Sequence, residues 1–266
     1  MRLQNIGKGW QRGGRWLAGA AAGVALLQLT AGVAGATGTD PFTQGMTGYD
    51  AAWPQCPSTP SFTGTPPAFA IIGVTGGRPF SKNSCAATLI SQAVKNVGSA
   101  NVSFYFNTGY SGAYGRDIMS ICSPSSNAPV PSKLSRQGKQ AWEEGCSEVA
   151  YAESLIPSGV SDASLWADVE TGNSWSTNTI LNKDAIDGID YGISAFGPKV
   201  GGIYTDVSSW SSLTGNYAPT TNQPAFWLAG FANCPSTSLS WASLSQIWLV
   251  QTGTASGVDQ DLACPA

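Results

Sequence analysis

The segment Trp166-Ala167-Asp168-Val169-Glu170 sets two carboxylic acids two residues apart in an otherwise apolar run. In an extended strand, residues i and i+2 share one face, about 6.5–7 Å apart along the chain. Carboxyls placed that way cannot both ionise freely, so one should hold its proton above the usual range. A neutral acid beside an ionised carboxylate is what cleavage of a glycosidic bond requires. The spacing does not set the carboxyl-to-carboxyl distance, so it leaves the stereochemical course open. The same acids also suit oxygen coordination of Ca²⁺ or Mg²⁺, or the capping of a following helix.

The rest of the composition narrows the chemistry. The chain has no histidine among its 266 residues. That removes Ser-His-Asp and Cys-His catalysis and nearly all catalytic zinc sites. Proton transfer therefore falls to 16 Asp and Glu residues. Arg2, Lys8, Arg12 and Arg15 precede an apolar stretch, Leu17 to Val33, and then the small residues Ala34-Gly35-Ala36. This order reads as a secretory signal peptide over residues 1–36; an uncleaved membrane anchor is the alternative. Beyond it nine basic residues face 16 acids. The resulting negative charge disfavours nucleic acid or an anionic membrane as partner. The six cysteines, Cys56, Cys85, Cys122, Cys146, Cys234 and Cys264, all follow the leader. In an exported chain they should form three disulfides. Pairing in sequence order closes local loops and is favoured, although fifteen connectivities are formally open. No C-x-x-C spacing suggests zinc or thiol exchange, and no cofactor or metal is called for.

The elements that must position the acids alternate between two patterns. Strands are expected at Gly45–Ala51, Phe69–Val74, Val102–Asn107, Leu165–Glu170, Lys199–Thr205, Ala225–Gly230, Gln246–Gln251 and Gly257–Leu262. Continuous apolar runs such as Phe69-Ala70-Ile71-Ile72 indicate strands covered on both faces, as in parallel sheets. Helices are expected at Ser84–Val97, Ser135–Leu155 and Asn178–Phe196. The last carries Leu181, Ala185, Ile189 and Ile193 on one stripe and stops at Gly197-Pro198. Helical signals weaken after Trp210. The expectation is one α/β domain over residues 46–266, a parallel (β/α)₈-type barrel with irregular last helices, stabilised by disulfides. Residues 37–45 form a short polar lead-in. An open doubly wound sheet would show a glycine-rich phosphate turn after its first strand, which Gly48-Tyr49-Asp50 is not.

Barrel chemistry sits at the C-terminal strand ends. Asp50 ends the first strand, Asp168 and Glu170 end the fourth, and Asp259 lies in the last with Asp261 two residues on. Trp53 follows Asp50 and Trp175 follows Glu170; such rings stack on sugar faces but equally serve packing. Tyr204 can line the same groove. Trp166, Trp227 and Trp248 lie within strands and read as core. Glu143, Glu144, Glu148, Asp184, Asp187 and Asp190 fall on helices, where a solvated face is the ordinary reading.

Taken in order, Gly48-Tyr49-Asp50, Phe69-Ala70-Ile71-Ile72, Phe104-Tyr105-Phe106, Leu165 to Glu170, Gly202-Ile203-Tyr204-Thr205, Trp227-Leu228-Ala229 and Gly257-Val258-Asp259 resemble the family 25 glycoside hydrolases, the lysozyme-like muramidases. The stretch Gly48 to Cys56 is similar to the opening of a secreted bacterial branch of glycoside-hydrolase-like proteins. The resemblance implies that Glu170 is the general acid/base and that Asp168 orients the substrate N-acetyl group, with Asp50 and Asp259 positioning substrate. It implies net retention by N-acetyl participation, with peptidoglycan as substrate. Three places depart from the family pattern. Gly73-Val74-Thr75 replaces a basic strand end, Asn107 stands where a histidine-containing region usually follows, and residues 108–160 form a longer, cysteine-bearing insertion. The reading is a secreted or wall-associated monomeric glycosidase of cell-wall glycan. Its alternatives are an inactive glycan-binding or cell-envelope protein and a Ca²⁺-stabilised structural domain.

Overall fold

The structure is a computed structural model that describes residues 38–265, apart from 57–59, 61, 63–65, 161–163, 198–199, 220–221 and 256. The expected signal peptide and the start of the expected fifth strand lie outside the described residues. Eight strands close a barrel in chain order. They are β1 (Thr47–Ala51), β2 (Phe69–Gly73), β3 (Val102–Asn107), β4 (Leu165–Asp168), β5 (Gly201–Thr205), β6 (Ala225–Ala229), β7 (Ile247–Ala255) and β8 (Val258–Ala263). Among the described residues, four α-helices pack outside: α1 (Ala86–Val97), α2 (Arg136–Leu155), α3 (Thr179–Ala195) and α4 (Val207–Thr214).

The barrel is not wholly parallel. β1 to β7 pair in parallel, but β8 runs antiparallel to both β7 and β1. The cause is chain length. Only two residues separate Ala255 from Val258, and a parallel crossover needs about a dozen or more. This reversal corrects the all-parallel expectation. It also carries Asp259, near the start of β8, to the end of the barrel where the parallel strands finish.

Inside the barrel, aromatic rings form a floor. Trp166 meets Trp227 and Trp248 edge to face, with centroids 6.1 and 6.3 Å apart, and Tyr204 lies 4.5 Å from Trp227. Phe42 packs on Phe69 at 4.7 Å. The lead-in is thus more than a polar tail, since its one phenylalanine joins the barrel interior. Outside, α1, α2 and α3 bury Leu89, Val149, Ile186 and Ile189 against the other strand face.

The helix-poor connections are stapled. The structure joins Cys56 to Cys85, Cys122 to Cys146, and Cys234 to Cys264, over separations of 29, 24 and 30 residues. Cys56 lies in the β1–β2 connection and Cys234 in the β6–β7 connection, and no α-helix runs through the described residues of either. Loops of that length give about 3 kcal/mol of stabilisation per bridge in the chain-entropy account.

The helical acids are not a solvated face. Glu144, Glu148, Asp184 and Asp190 are buried, whereas Glu143 and Asp187 are half-exposed. Two surroundings cover them: α2 packs closely on α3 through glycine, and the insertion after β3 approaches Glu144 through Asp117 and bonds Glu148 through the Thr108 hydroxyl and the Gly109 amide. A Cβ at Gly188 would run into the Trp142 carbonyl, and one at Gly145 into that of Ala185. Asp184 lies against Gly138 of α2, and Asp190 is approached by Asn222 from the connection before β6. Both Glu144 carboxyl oxygens lack a hydrogen-bond partner. Burial pushes the pKa of Glu144 to about 7 and that of Asp190 to about 7.

Two outcomes follow from this interface. Gly188→Ala should destabilise the fold by about 1–3 kcal/mol or more, read as a lower urea midpoint. A carboxyl whose pKa is raised on folding contributes stability in full below its unfolded value near 4, and that contribution is lost as pH rises through the folded value. The melting temperature should therefore fall between pH 5 and pH 8, and Glu144→Gln should flatten that fall.

Candidate active site

Four carboxyls meet at the open end of the barrel. β1 delivers Asp50, and its register partner on β8 is Asp259. β4 ends at Asp168, opposite Asn107 of β3 and Tyr204 of β5. Glu170 follows two residues later, just beyond the strand, where the Val169 amide still donates to the Tyr204 carbonyl at 2.8 Å. The expected strand Leu165–Glu170 therefore ends two residues early, yet its ladder continues and the acid pair stays together.

Asp168 is 7% exposed, over the aromatic floor two residues above Trp166. Burial, and next the charge of Glu170, raise its pKa to about 8. Its Oδ2 accepts from Asn107 Nδ2 at 2.5 Å. Asn107 is itself oriented by Thr75, whose hydroxyl donates to Asn107 Oδ1 at 2.9 Å and accepts from the Asn107 amide at 2.8 Å. With its oxygen tied to Thr75, the Asn107 side chain must turn its NH₂ toward Asp168. Asp168 Oδ1 is buried with no hydrogen-bond partner.

Glu170 is half-buried at the rim. Burial raises its pKa, Asp206 adds to the rise, and the Tyr204 hydroxyl opposes it. Asp50 is 6% exposed, and its Oδ2 accepts from Gln251 Nε2 at 2.9 Å. The same Gln251 accepts from the Tyr204 hydroxyl at 3.0 Å. Burial raises the Asp50 pKa against the Gln251 bond, and with the charges of Asp259 and Glu170 it reaches about 7. Asp259 is half-exposed and accepts from Thr254 at 2.8 Å.

Asp261 is placed differently. It is 0% exposed, one layer below Asp50, and holds the Trp227 indole N–H at 2.9 Å. It supports the aromatic floor and has no surface to offer a ligand. Trp175 also works through structure, since its indole donates to the Glu170 carbonyl at 3.0 Å and anchors the loop after the acid. Trp53 is 51% exposed in the turn after β1, with its indole against Gly77. It presents an open ring beside the Asp50 strand.

Thr75, Tyr105, Asn107 and Gln251 complete the site and were not singled out as site residues from sequence. Tyr105 is half-buried among the acids, and desolvation and their charges drive its pKa upward. Asn107 and Thr75 had been visible only as departures at strand ends. Among the described residues, no group of three or more His, Cys, Asp or Glu side chains is arranged to hold a metal ion.

The sequence profile of the family described as Lysozyme-like protein 1 matches residues 130–242. No curated protein matches the chain in sequence. Solved structures do resemble it. The bacterial lysozyme from Streptomyces coelicolor superposes with a TM-score of 0.53 at 16% identity, covering 85% of this chain and 94% of that one. A family GH25 lysozyme from Aspergillus fumigatus gives 0.52 at 15% identity, covering 83% and 94%. The modular Cpl-1 endolysin, solved with a peptidoglycan analogue, gives 0.50 at 14% identity, with 84% of this chain and 55% of that one aligned. At such identities the likeness is one of architecture: the chain has the lysozyme-like barrel fold of the GH25 muramidases.

Proposed function

We propose that this protein is an exported glycoside hydrolase that cleaves β-1,4 bonds of peptidoglycan-type glycan with retention of configuration. The observation that carries the reading is the pairing of Asp168 with Glu170 at one mouth. Asp168 is buried, clamped on one oxygen and unpartnered on the other, while Glu170 is half-open to solvent with a raised pKa. A carboxyl that keeps its proton can donate it to a departing glycosidic oxygen. Asp168, 7% exposed at the mouth, suits the N–H of a substrate acetamido group through the surface it keeps open. That contact would turn the acetamido oxygen onto the anomeric carbon.

In this account the acetamido oxygen attacks the anomeric carbon as Glu170 protonates the leaving oxygen. A cyclic intermediate forms, and Asp168, which keeps its proton below its pKa of about 8, holds the acetamido N–H through its carbonyl oxygen. Water, deprotonated by Glu170, then opens the ring from the opposite face. Two inversions give net retention without an enzyme nucleophile, a recognised exception among glycosidases. Asn107 and Thr75 fix Asp168, and Gln251 and Tyr204 fix Asp50 beside it. Trp53 supplies an exposed ring for a sugar face. Three disulfides support export to an oxidising compartment. Among the described residues no helix is long and apolar enough to cross a membrane.

Glu170→Gln should lower release of reducing ends from peptidoglycan by about 10²–10⁴-fold while near-UV circular dichroism stays unchanged. The rate should also decline as pH rises through the raised Glu170 pKa, because the proton donor is then lost. A wild-type rate in the variant would remove Glu170 from the mechanism. Saturable glycan binding without turnover in the wild-type protein would favour a non-catalytic wall-binding role.

A further inference from the structure

A second site lies on the insertion that follows β3. A pocket of about 570 Å³ opens between this insertion and the first turns of α2, lined in part by Arg116, Arg136, Lys139, Gln140 and Glu143. It gathers three of the nine Lys and Arg residues that follow position 36 in an acidic chain. Among the described residues, the Arg116 and Arg136 guanidinium groups take no hydrogen bond or salt bridge. The charge of Lys139 acts on Glu143, opposing the rise that burial gives its pKa. The pocket carries three cations and one acid, a local excess of positive charge.

The walls are held in advance. Cys122–Cys146 ties the insertion to α2, and the Met119 amide donates to Ser147 Oγ at 2.9 Å. Gly115 lies against the Gln140 side chain, where a Cβ would come within 2.5 Å of its amide nitrogen. A preformed pocket of this size takes a small ligand without a large ordering penalty. Its location is set by topology. The insertion leaves β3 at Asn107, which bonds Asp168, and α2 begins at the end of the barrel where β3 finishes.

The chemistry selects among anions. Guanidinium forks match carboxylates and phosphates alike. A phosphodiester polymer carries only negative charge and would meet Glu143 as a repulsive neighbour. A short peptide with two carboxylates and a free amino group satisfies both signs, with Gln140 able to donate and accept. We propose that this pocket binds the peptide substituent of the wall glycan, so that the insertion reads the peptide while the barrel mouth handles the sugar. This rests on the reading of the mouth as a glycan site.

The test titrates a synthetic tetrapeptide bearing two free carboxylates and one free amine into the full folded domain at physiological salt. Arg116→Ala with Arg136→Ala should weaken binding at least tenfold, and Glu143→Gln should weaken it as well. Glu170→Gln should leave it unchanged. With glycan substrates, the double arginine variant should raise KM for peptide-bearing material and leave turnover of peptide-stripped glycan as in the wild type. Unchanged peptide affinity in the double variant would overturn the proposal. So would tighter peptide binding by Glu143→Gln, or capture of a wall phosphodiester polymer in preference to the peptide. If the wild-type protein hydrolyses neither glycan, the reading of the mouth fails, while the peptide titration still decides the pocket.

Discussion

Folding forces carboxyl groups out of water in a chain that has almost nothing to neutralise them. There is no histidine, and among the described residues the cations are exposed or half-exposed. Desolvation therefore dominates the electrostatics of the site and of the α2–α3 interface alike. It heads the causes of the raised pKa at Asp50, Asp168, Glu170, Glu144 and Asp190. Where many active sites tune an acid with a charged partner, this cluster of carboxyls rests on an apolar floor and neutral donors. Asn107 holds Asp168 and Gln251 holds Asp50 through hydrogen bonds from neutral donors, and the Tyr204 hydroxyl in turn fixes Gln251. The arrangement favours protonated acids, which is the state a glycosidic leaving group needs.

Such burial costs stability, and the scaffold offsets it in two ways. Glycine at 145 and 188 lets α2 and α3 approach backbone to backbone, gaining dispersion contact along the interface. The disulfides act in the β1–β2 and β6–β7 connections and in the insertion before α2. They limit the freedom of the unfolded chain where regular structure contributes least.

Much of this was legible in residue order because it rests on local pattern. The apolar run Phe69-Ala70-Ile71-Ile72 announced a strand covered on both faces, and the Leu181–Ile193 stripe announced α3. The D-x-E spacing located the acid pair, since strand geometry alone puts alternate residues together. The misses came from features that pattern cannot weigh without neighbours. Glu144 and Asp190 look like surface acids until distant segments are placed against them, the insertion at Asp117 beside Glu144 and Asn222 beside Asp190. Asn107 and Thr75 show their role only when two strands are brought side by side. Tyr105 and Gln251 are ordinary strand residues until the barrel closes.

The reversal of β8 is a different kind of miss, because its signal was present. Five residues separate the expected strands Gln246–Gln251 and Gly257–Leu262, too few for a crossover helix. Loop length alone excluded a parallel eighth strand. The consequence reaches the chemistry. In a parallel strand, a residue second from the start would lie at the floor of the barrel, far from the mouth. Running the other way, β8 sets Asp259 beside Asp50 at the open rim and sends Asp261 inward to Trp227. One hairpin thus assigns the two acids of a single D-x-D run to different tasks, one facing the cleft and one bracing the ring beneath it.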